Sequence, residues 1–207
     1  MKFNYAVVDD FYSNPYEIRK YALSLEYPEP HDGYTYPGKN SEGQVYDENM
    51  HNQLERIVGQ KLKYPQNAGQ AGYFRLSQLN DQYQQYIHLD PWDVAGVLYL
   101  NPPNQSVVEA GTSFWMHKKL GIERGPRTPE EGAAIGYHTY EAVRENLIYD
   151  DGLDETKWLK YAMVPNKFNR LVMFDPMLWH SHNENFGDKK ENARLVQLFF
   201  LNYEWYK

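Results

Sequence analysis

Histidine and carboxylate side chains at short spacing are where this sequence could do chemistry. Tyr86-Ile87-His88-Leu89-Asp90-Pro91 sets an imidazole and a carboxylate two residues apart. On a strand, residues i and i+2 point to the same face, so His88 and Asp90 would project side by side. One nitrogen and one oxygen so placed are a pair of metal ligands. Far downstream, Asn169-Arg170-Leu171-Val172-Met173-Phe174-Asp175-Pro176-Met177-Leu178-Trp179-His180-Ser181-His182 reads as a strand, a turn and a histidine opening the next stretch. Several strands fit between the two segments, enough to bring His180 back beside the first pair. Two histidines and one carboxylate on a rigid β scaffold form the facial set that holds Fe(II) with positions left open. His182 shares a face with His180 if that stretch is extended, so either could be the distal ligand.

A third piece is Arg194, in Ala193-Arg194-Leu195-Val196-Gln197-Leu198-Phe199-Phe200. That strand is apolar enough to be buried, and a buried charge needs a partner. A dicarboxylate cosubstrate would supply one through bidentate hydrogen bonds. Asp175 is the internal alternative. Tyr99, in Gly96-Val97-Leu98-Tyr99-Leu100-Asn101, would add a hydroxyl near the same pocket.

These residues need a rigid β framework, and the chain has the texture of one. Residues 3–8 read as a first strand. Asn14-Pro15 is a helix start, and Ile18, Tyr21, Ala22 and Leu25 continue it at helical spacing over 15–26. Residues 27–46 carry many Pro and Gly together with Tyr27, Tyr34, Tyr36 and Tyr46, and read as an ordered irregular loop. A second helix is predicted over 47–62, with Leu54, Ile57 and Val58 inward. Strands follow at 73–79, 86–90, 94–100 and 112–116, then a helical stretch at 129–148, then strands at 160–164, 169–174 and 193–203. Short strands at close spacing indicate a sandwich or barrel. Residues 118–158 read as an insertion between core strands, of the length that often forms a lid or substrate loop.

The chain of 207 residues is read as a single domain over 1–207. It has no cysteine, which excludes disulfides, zinc fingers, iron–sulfur clusters and thiol nucleophiles. Any metal must be held by nitrogen and oxygen. The net charge of −7 disfavours a nucleic-acid partner. Its 19 tyrosines suit pleated surfaces and pocket walls with one wet end. No signal sequence and no run of about 18 apolar residues is present, so no membrane span is expected and the default location is cytoplasmic.

With these segments in order, the sequence resembles the Fe(II)/2-oxoglutarate-dependent dioxygenases of the prolyl-hydroxylase-like type. The resemblance covers roughly 70–203, and extends to Val8-Asp9-Asp10-Phe11 and the helix after it. It rests on His88 and Asp90 as the His-x-Asp strand and on Tyr99 to Asn101 as the Tyr-Leu-Asn strand. Gly111-Thr112-Ser113-Phe114 follows as the Gly-led strand, and the Arg-Leu-x-x-Phe strand runs from Arg170 into His180. The spacing from Phe174 favours His180 over His182. Arg194 stands where the family places a basic residue on the final strand. Val196 replaces the family's usual Ser or Thr, and Gly187-Asp188-Lys189-Lys190 adds a turn.

The resemblance implies a mainly β, α+β fold: a double-stranded β-helix, or jelly roll, with N-terminal helices packed on one face. It implies His88, Asp90 and His180 as ligands of Fe(II), and Arg194 assisted by Tyr99 at the far carboxylate of 2-oxoglutarate. It implies hydroxylation of a C–H bond with O2, releasing succinate and CO2, on a small-molecule or peptide substrate. Two other classes stay open on the residues alone: a cupin-like metal enzyme that does not use 2-oxoglutarate, and a non-catalytic jelly-roll module. The remaining candidates read more plainly. His117 and His138 are surface or substrate-side groups, and His31 and His51 are solvated polar residues. Tyr86, Trp92, Trp115 and Trp179 are core or pocket-wall aromatics, with Trp115 and Trp179 bordering the site. Asp150, Asp151, Asp154 and Glu155 form a solvated turn. Residues 27–46 and 118–158 are expected to cover the site mouth.

Overall fold

The computed structural model describes residues 4–29, 36–66 and 70–204. His31, Tyr34 and the first residue of the 3–8 strand lie outside the described residues. The strands are β1 (Tyr5–Val8), β2 (Lys39–Gln44), β3 (Ala71–Ser77), β4 (Val94–Tyr99), β5 (Thr112–His117), β6 (Trp158–Val164), β7 (Leu171–Phe174), β8 (His180–His182) and β9 (Arg194–Leu201). They form a six-stranded sheet in the order β1-β7-β4-β9-β3-β2 and a three-stranded sheet in the order β6-β5-β8. All pairings within the two sheets are antiparallel.

Alternation along the strands sorts the side chains between two cores. One face of the large sheet, with Phe74, Leu98, Met173, Leu195 and Phe199, packs with Ala22 of α1 (Pro15–Ser24) and with Met50, Leu54 and Val58 of α2 (Glu48–Val58). The other face, with Tyr73, Ala95, Val172, Val196 and Leu198, meets Phe114, Val164 and Leu178 from the small-sheet side. The architecture is therefore mainly β with antiparallel sheets, consistent with a jelly roll. A third cluster lies behind the small sheet, where Trp115 and Trp179 pack with Val143, Leu147, Ile148 and Trp158.

Several elements differ from their expected bounds. The helix expected over 47–62 stops at Val58, because Gly59 adopts a left-handed φ of 76° and its N–H caps Glu55 O. The stretch 27–46, expected as irregular loop, contains β2. That strand is polar and lies at a sheet edge, so it carries no apolar alternation to read. The single helix expected over 129–148 is broken. α3 (Pro129–Ala134) ends before Gly136, at φ 86°, and α4 (Tyr140–Val143) passes into a π-helical turn, Arg144–Asp150. The strand expected at 86–90 shrinks to one bridge, His88 with His180. Its neighbours turn to other segments: Ile87 N–H donates to Gly152 O and Asp90 N–H to Pro176 O.

Asn101 ties β4 to the start of β9. Its Nδ2 donates to Ala193 O and its Oδ1 accepts from Leu195 N–H, both at 2.8 Å, which clamps the backbone on either side of Arg194. Asn101→Ala strands a donor and an acceptor in the core. It should lower the free energy of unfolding by about 2–4 kcal/mol, read from urea denaturation. A change under about 0.5 kcal/mol would mean that the clamp bears no weight.

Candidate metal centre

The centre starts from a backbone contact. His88 N–H donates to His180 O at 2.9 Å and His180 N–H donates to His88 O at 3.1 Å. Two residues that exchange both bonds across an antiparallel pair present their side chains on one face. The two imidazoles are accordingly 4.3 Å apart between ring centroids. β8 is pinned on its other side by β5, with Phe114 opposite His180 and Thr112 opposite His182. Asp90 follows His88 by two residues and joins the same face.

Each histidine is oriented by a carbonyl two residues before it. His88 Nδ1 lies 2.9 Å from Tyr86 O, and His180 Nδ1 lies 2.8 Å from Leu178 O. A carbonyl only accepts, so Nδ1 carries the hydrogen and Nε2 presents a lone pair. Asp90 Oδ2 stands 3.2 Å from His180 Nε2 and 3.8 Å from His88 Nε2. One ligand atom from each of the three residues falls within 4.8 Å of the others, and all three residues are buried. Donors about 2.1 Å from a divalent metal stand about 3 Å apart when adjacent, so this set closes on one ion with little movement. Three buried lone-pair atoms turned toward one another repel unless a cation lies among them, so the donor set fits a metal.

The protonation states suit that role. Burial, reinforced by His180, pushes the His88 imidazole down to about 4, so it is neutral at neutral pH. Burial pushes the Asp90 carboxyl up. A proton on His180, which would then donate to it, charge on either imidazole and the Tyr36 hydroxyl favour the carboxylate and outweigh that, so it falls to about 2. Tyr36 Oη reaches Asp90 Oδ1 at 3.3 Å.

The three residues open onto a cavity of about 310 Å³. Arg194 lines its wall and is 4 % exposed. Its Nε donates to Ala110 O at 3.2 Å, and among the described residues no acid pairs with it. Asp175, the internal alternative, is instead held by Arg124 and Arg127. Tyr99 lies beneath the wall rather than on it. Its hydroxyl is 2.7 Å from Thr112 Oγ1, which is itself on the wall, and its ring centroid is 5.9 Å from the Arg194 guanidinium carbon. His182 also faces the cavity but stands outside the three-residue group. Burial, aided by the Arg194 charge, holds its imidazole well below the usual range.

Other expectations are corrected. His51 is buried rather than solvated, with Nδ1 2.8 Å from Tyr46 Oη. His117 is buried rather than on the surface, and its Nε2 pairs with Asp151 at 2.9 Å, which takes Asp151 out of a purely solvated turn. Trp115 and Trp179 belong to the core behind the small sheet and do not line the cavity, whereas Trp92 does. Among the described residues none of 118–158 lines the cavity; that stretch contributes to the core behind the small sheet, while Tyr36 and Pro37 do line it. Sequence reading gave no site role to Tyr73, Arg75 and Thr112, all of which line the cavity, and placed Tyr36 there only as part of the loop 27–46. Arg75 had a legible signal. It stands between Phe74 and Leu76 on an apolar strand, the same argument that singles out Arg194.

Two outcomes follow from this geometry. Wild-type protein should bind one equivalent of Mn(II) by calorimetry, and His88→Ala or Asp90→Ala should weaken it by at least about tenfold. Unchanged affinity in both variants would remove the site. Second, His88 has an ordinary value of 6.5 and about 4 when folded. Between those values the unfolded chain takes up a proton that the folded chain refuses, so the metal-free protein loses stability as the pH falls. His88→Gln should flatten that slope in urea denaturation series, and a slope as steep as wild type would contradict it.

Solved structures share this arrangement of strands. HygX from Streptomyces hygroscopicus, with nickel and 2-oxoglutarate bound, superposes with a TM-score of 0.55 at 12 % identity, over 99 % of this chain and 85 % of that one. A prolyl hydroxylase from Trichoplax adhaerens, in complex with a hypoxia inducible factor peptide fragment, gives 0.51 at 10 % identity, over 96 % and 84 %. SnoK, an alpha-ketoglutarate-dependent carbocyclase from nogalamycin biosynthesis, gives 0.50 at 11 % identity, over 97 % and 79 %. At such identities the likeness is one of fold, that of the iron and 2-oxoglutarate-dependent oxygenases. No curated protein matches the sequence. A family model does match residues 2–201, and by it the chain belongs to DUF6445, a family of unknown function.

Proposed function

We propose that the protein is an Fe(II)- and 2-oxoglutarate-dependent oxygenase that hydroxylates an unactivated C–H bond and releases succinate and CO2. The observation that carries this reading is one cavity holding both parts of the chemistry. His88, Asp90 and His180 converge at one part of its wall, and Arg194 stands in the same wall with no acid partner among the described residues. In this reading the three residues hold iron, which supplies oxygen activation when bound. Neutral His88 and ionised Asp90 are ready to ligate without shedding protons.

Arg194 anchors the far carboxylate of 2-oxoglutarate. Val196 offers no hydroxyl, but Thr112 brings one to the same cavity, braced from behind by Tyr99. Aromatic walls at Tyr73, Trp92, Phe174 and Phe200 keep water from the reacting centre. The substrate is a small molecule or a peptide. HygX has been solved with hygromycin B and the Trichoplax enzyme with a peptide fragment, so this fold accepts both kinds.

The test is Fe(II)-dependent conversion of 2-oxoglutarate to succinate by the purified chain, assayed without a prime substrate. His88→Ala and Asp90→Ala should abolish it. Arg194→Gln should raise the KM for 2-oxoglutarate by about tenfold or more, with a smaller change in kcat. Turnover undiminished in His88→Ala would sink the reading.

A further inference from the structure

The cavity holds a second arginine that neither the metal nor the cosubstrate requires. Arg75 sits on β3, where Tyr73, Arg75 and Ser77 all face the cavity. Cross-strand register places Ser77 opposite Arg194 and Arg75 opposite Val196. The two arginines are therefore diagonal neighbours on one sheet face, about 7–8 Å apart at Cα. Arg75 is held ready rather than neutralised. Its Nε donates to Asn40 Oδ1 at 2.8 Å, and its guanidinium carbon lies 5.4 Å from the centre of the Tyr36 ring. Among the described residues no carboxylate pairs with it. Tyr36 in turn reaches Asp90 and packs against His88, with ring centroids 4.9 Å apart. Arg75 thus stands one aromatic ring away from the candidate metal ligands.

Charge balance says what it is for. Among the described residues Asp90 is the one acid on the cavity wall and faces two arginines, so that part of the wall carries one positive charge in excess. A divalent metal adds two charges and a dicarboxylate cosubstrate removes two. One positive charge is left over, and a partly buried guanidinium with free N–H donors recruits an anion of matching geometry. Apolar surface flanks it, since Trp92 packs on Phe200 at 6.2 Å and Phe200 on Tyr73 at 6.5 Å.

We propose that Arg75 is the substrate-docking residue of this cavity, and that the substrate is a small molecule with a carboxylate on an apolar body. This deepens the oxygenase reading and rests on it for the place of 2-oxoglutarate. The probes are 3-phenylpropionate and its neutral amide, titrated calorimetrically into protein loaded with Mn(II) and 2-oxoglutarate. Wild type should bind the carboxylate at least tenfold more tightly than the amide. Arg75→Gln should bring the two within twofold, while Mn(II) and 2-oxoglutarate affinities and the Tm stay unchanged. Arg75→Lys should keep part of the preference.

A tenfold preference surviving in Arg75→Gln would overturn the proposal. So would no preference in wild type, or a loss of 2-oxoglutarate affinity in Arg75→Gln as large as in Arg194→Gln. The same pair is measured on metal-free Arg194→Gln protein, where Arg75 is the remaining arginine among the described residues of the cavity wall. Failure of Mn(II) or 2-oxoglutarate to bind counts against the oxygenase reading, and the carboxylate-to-amide ratio in that variant still reads Arg75 by itself.

Discussion

The two hydrogen bonds exchanged between His88 and His180 are the contact on which the rest depends. They join a segment that is otherwise loop to the edge of the small sheet. They fix both imidazoles on one face, and Tyr86 O and Leu178 O then fix which nitrogen of each ring looks inward. Asp90 completes the set because its N–H is held by Pro176 O, the loop that leads into β8. Two chain segments, 86–90 and 176–182, thus meet at one point, and neither could hold the geometry alone. The cost is a cluster of acceptor atoms kept from water, which only a cation or a proton relieves.

The large sheet supplies rigidity where the small sheet supplies ligands. Its helix-side face is packed by α1 and α2 with apolar side chains, so the strands that carry Arg75 and Arg194 are backed by a dry core. The two arginines extend from the other face, into the cavity. Gly96 shows how tight this backing is. A Cβ there would lie 2.5 Å from Met173 Sδ and 3.2 Å from the Phe199 ring, so glycine leaves the room that these two side chains fill. Precision at the site comes from these central strands, while the polar edge strand β2 contributes Asn40 to the placement of Arg75.

Legibility followed burial and pattern. β3, β4, β5, β7 and β9 could be read within a few residues, since each alternates or is wholly apolar and is bounded by turn residues. His88, Asp90, His180 and Arg194 could be picked out because polar side chains on such strands need a reason. What could not be read was polar or long-range. β2 is an edge strand without apolar alternation, so nothing local marks it. His117 and His51 are buried by partners distant in sequence or hidden in a turn, Asp151 for one and Tyr46 for the other. The helical stretch after residue 129 carries good helix formers, but Gly136 interrupts it and the remainder adapts to the core behind the small sheet as a π turn.

Two departures from the prolyl-hydroxylase-like pattern that the sequence resembles meet local structure around Arg194. The extra turn before β9 closes on itself. Asn192 Oδ1 accepts from Asp188 N–H and Lys189 N–H, Gly187 takes a left-handed φ of 78°, and Gly187 O accepts from Leu79 N–H. Arg194 N–H is then held by Phe186 O, and Asn101 clamps both neighbours. The second departure, Val196, removes a hydroxyl from β9, yet Thr112 across the cavity carries one that Tyr99 supports. Val196 also stands directly opposite Arg75. A small apolar residue there leaves the guanidinium without a neighbouring hydrogen-bond acceptor on β9, so its donors stay available to a ligand.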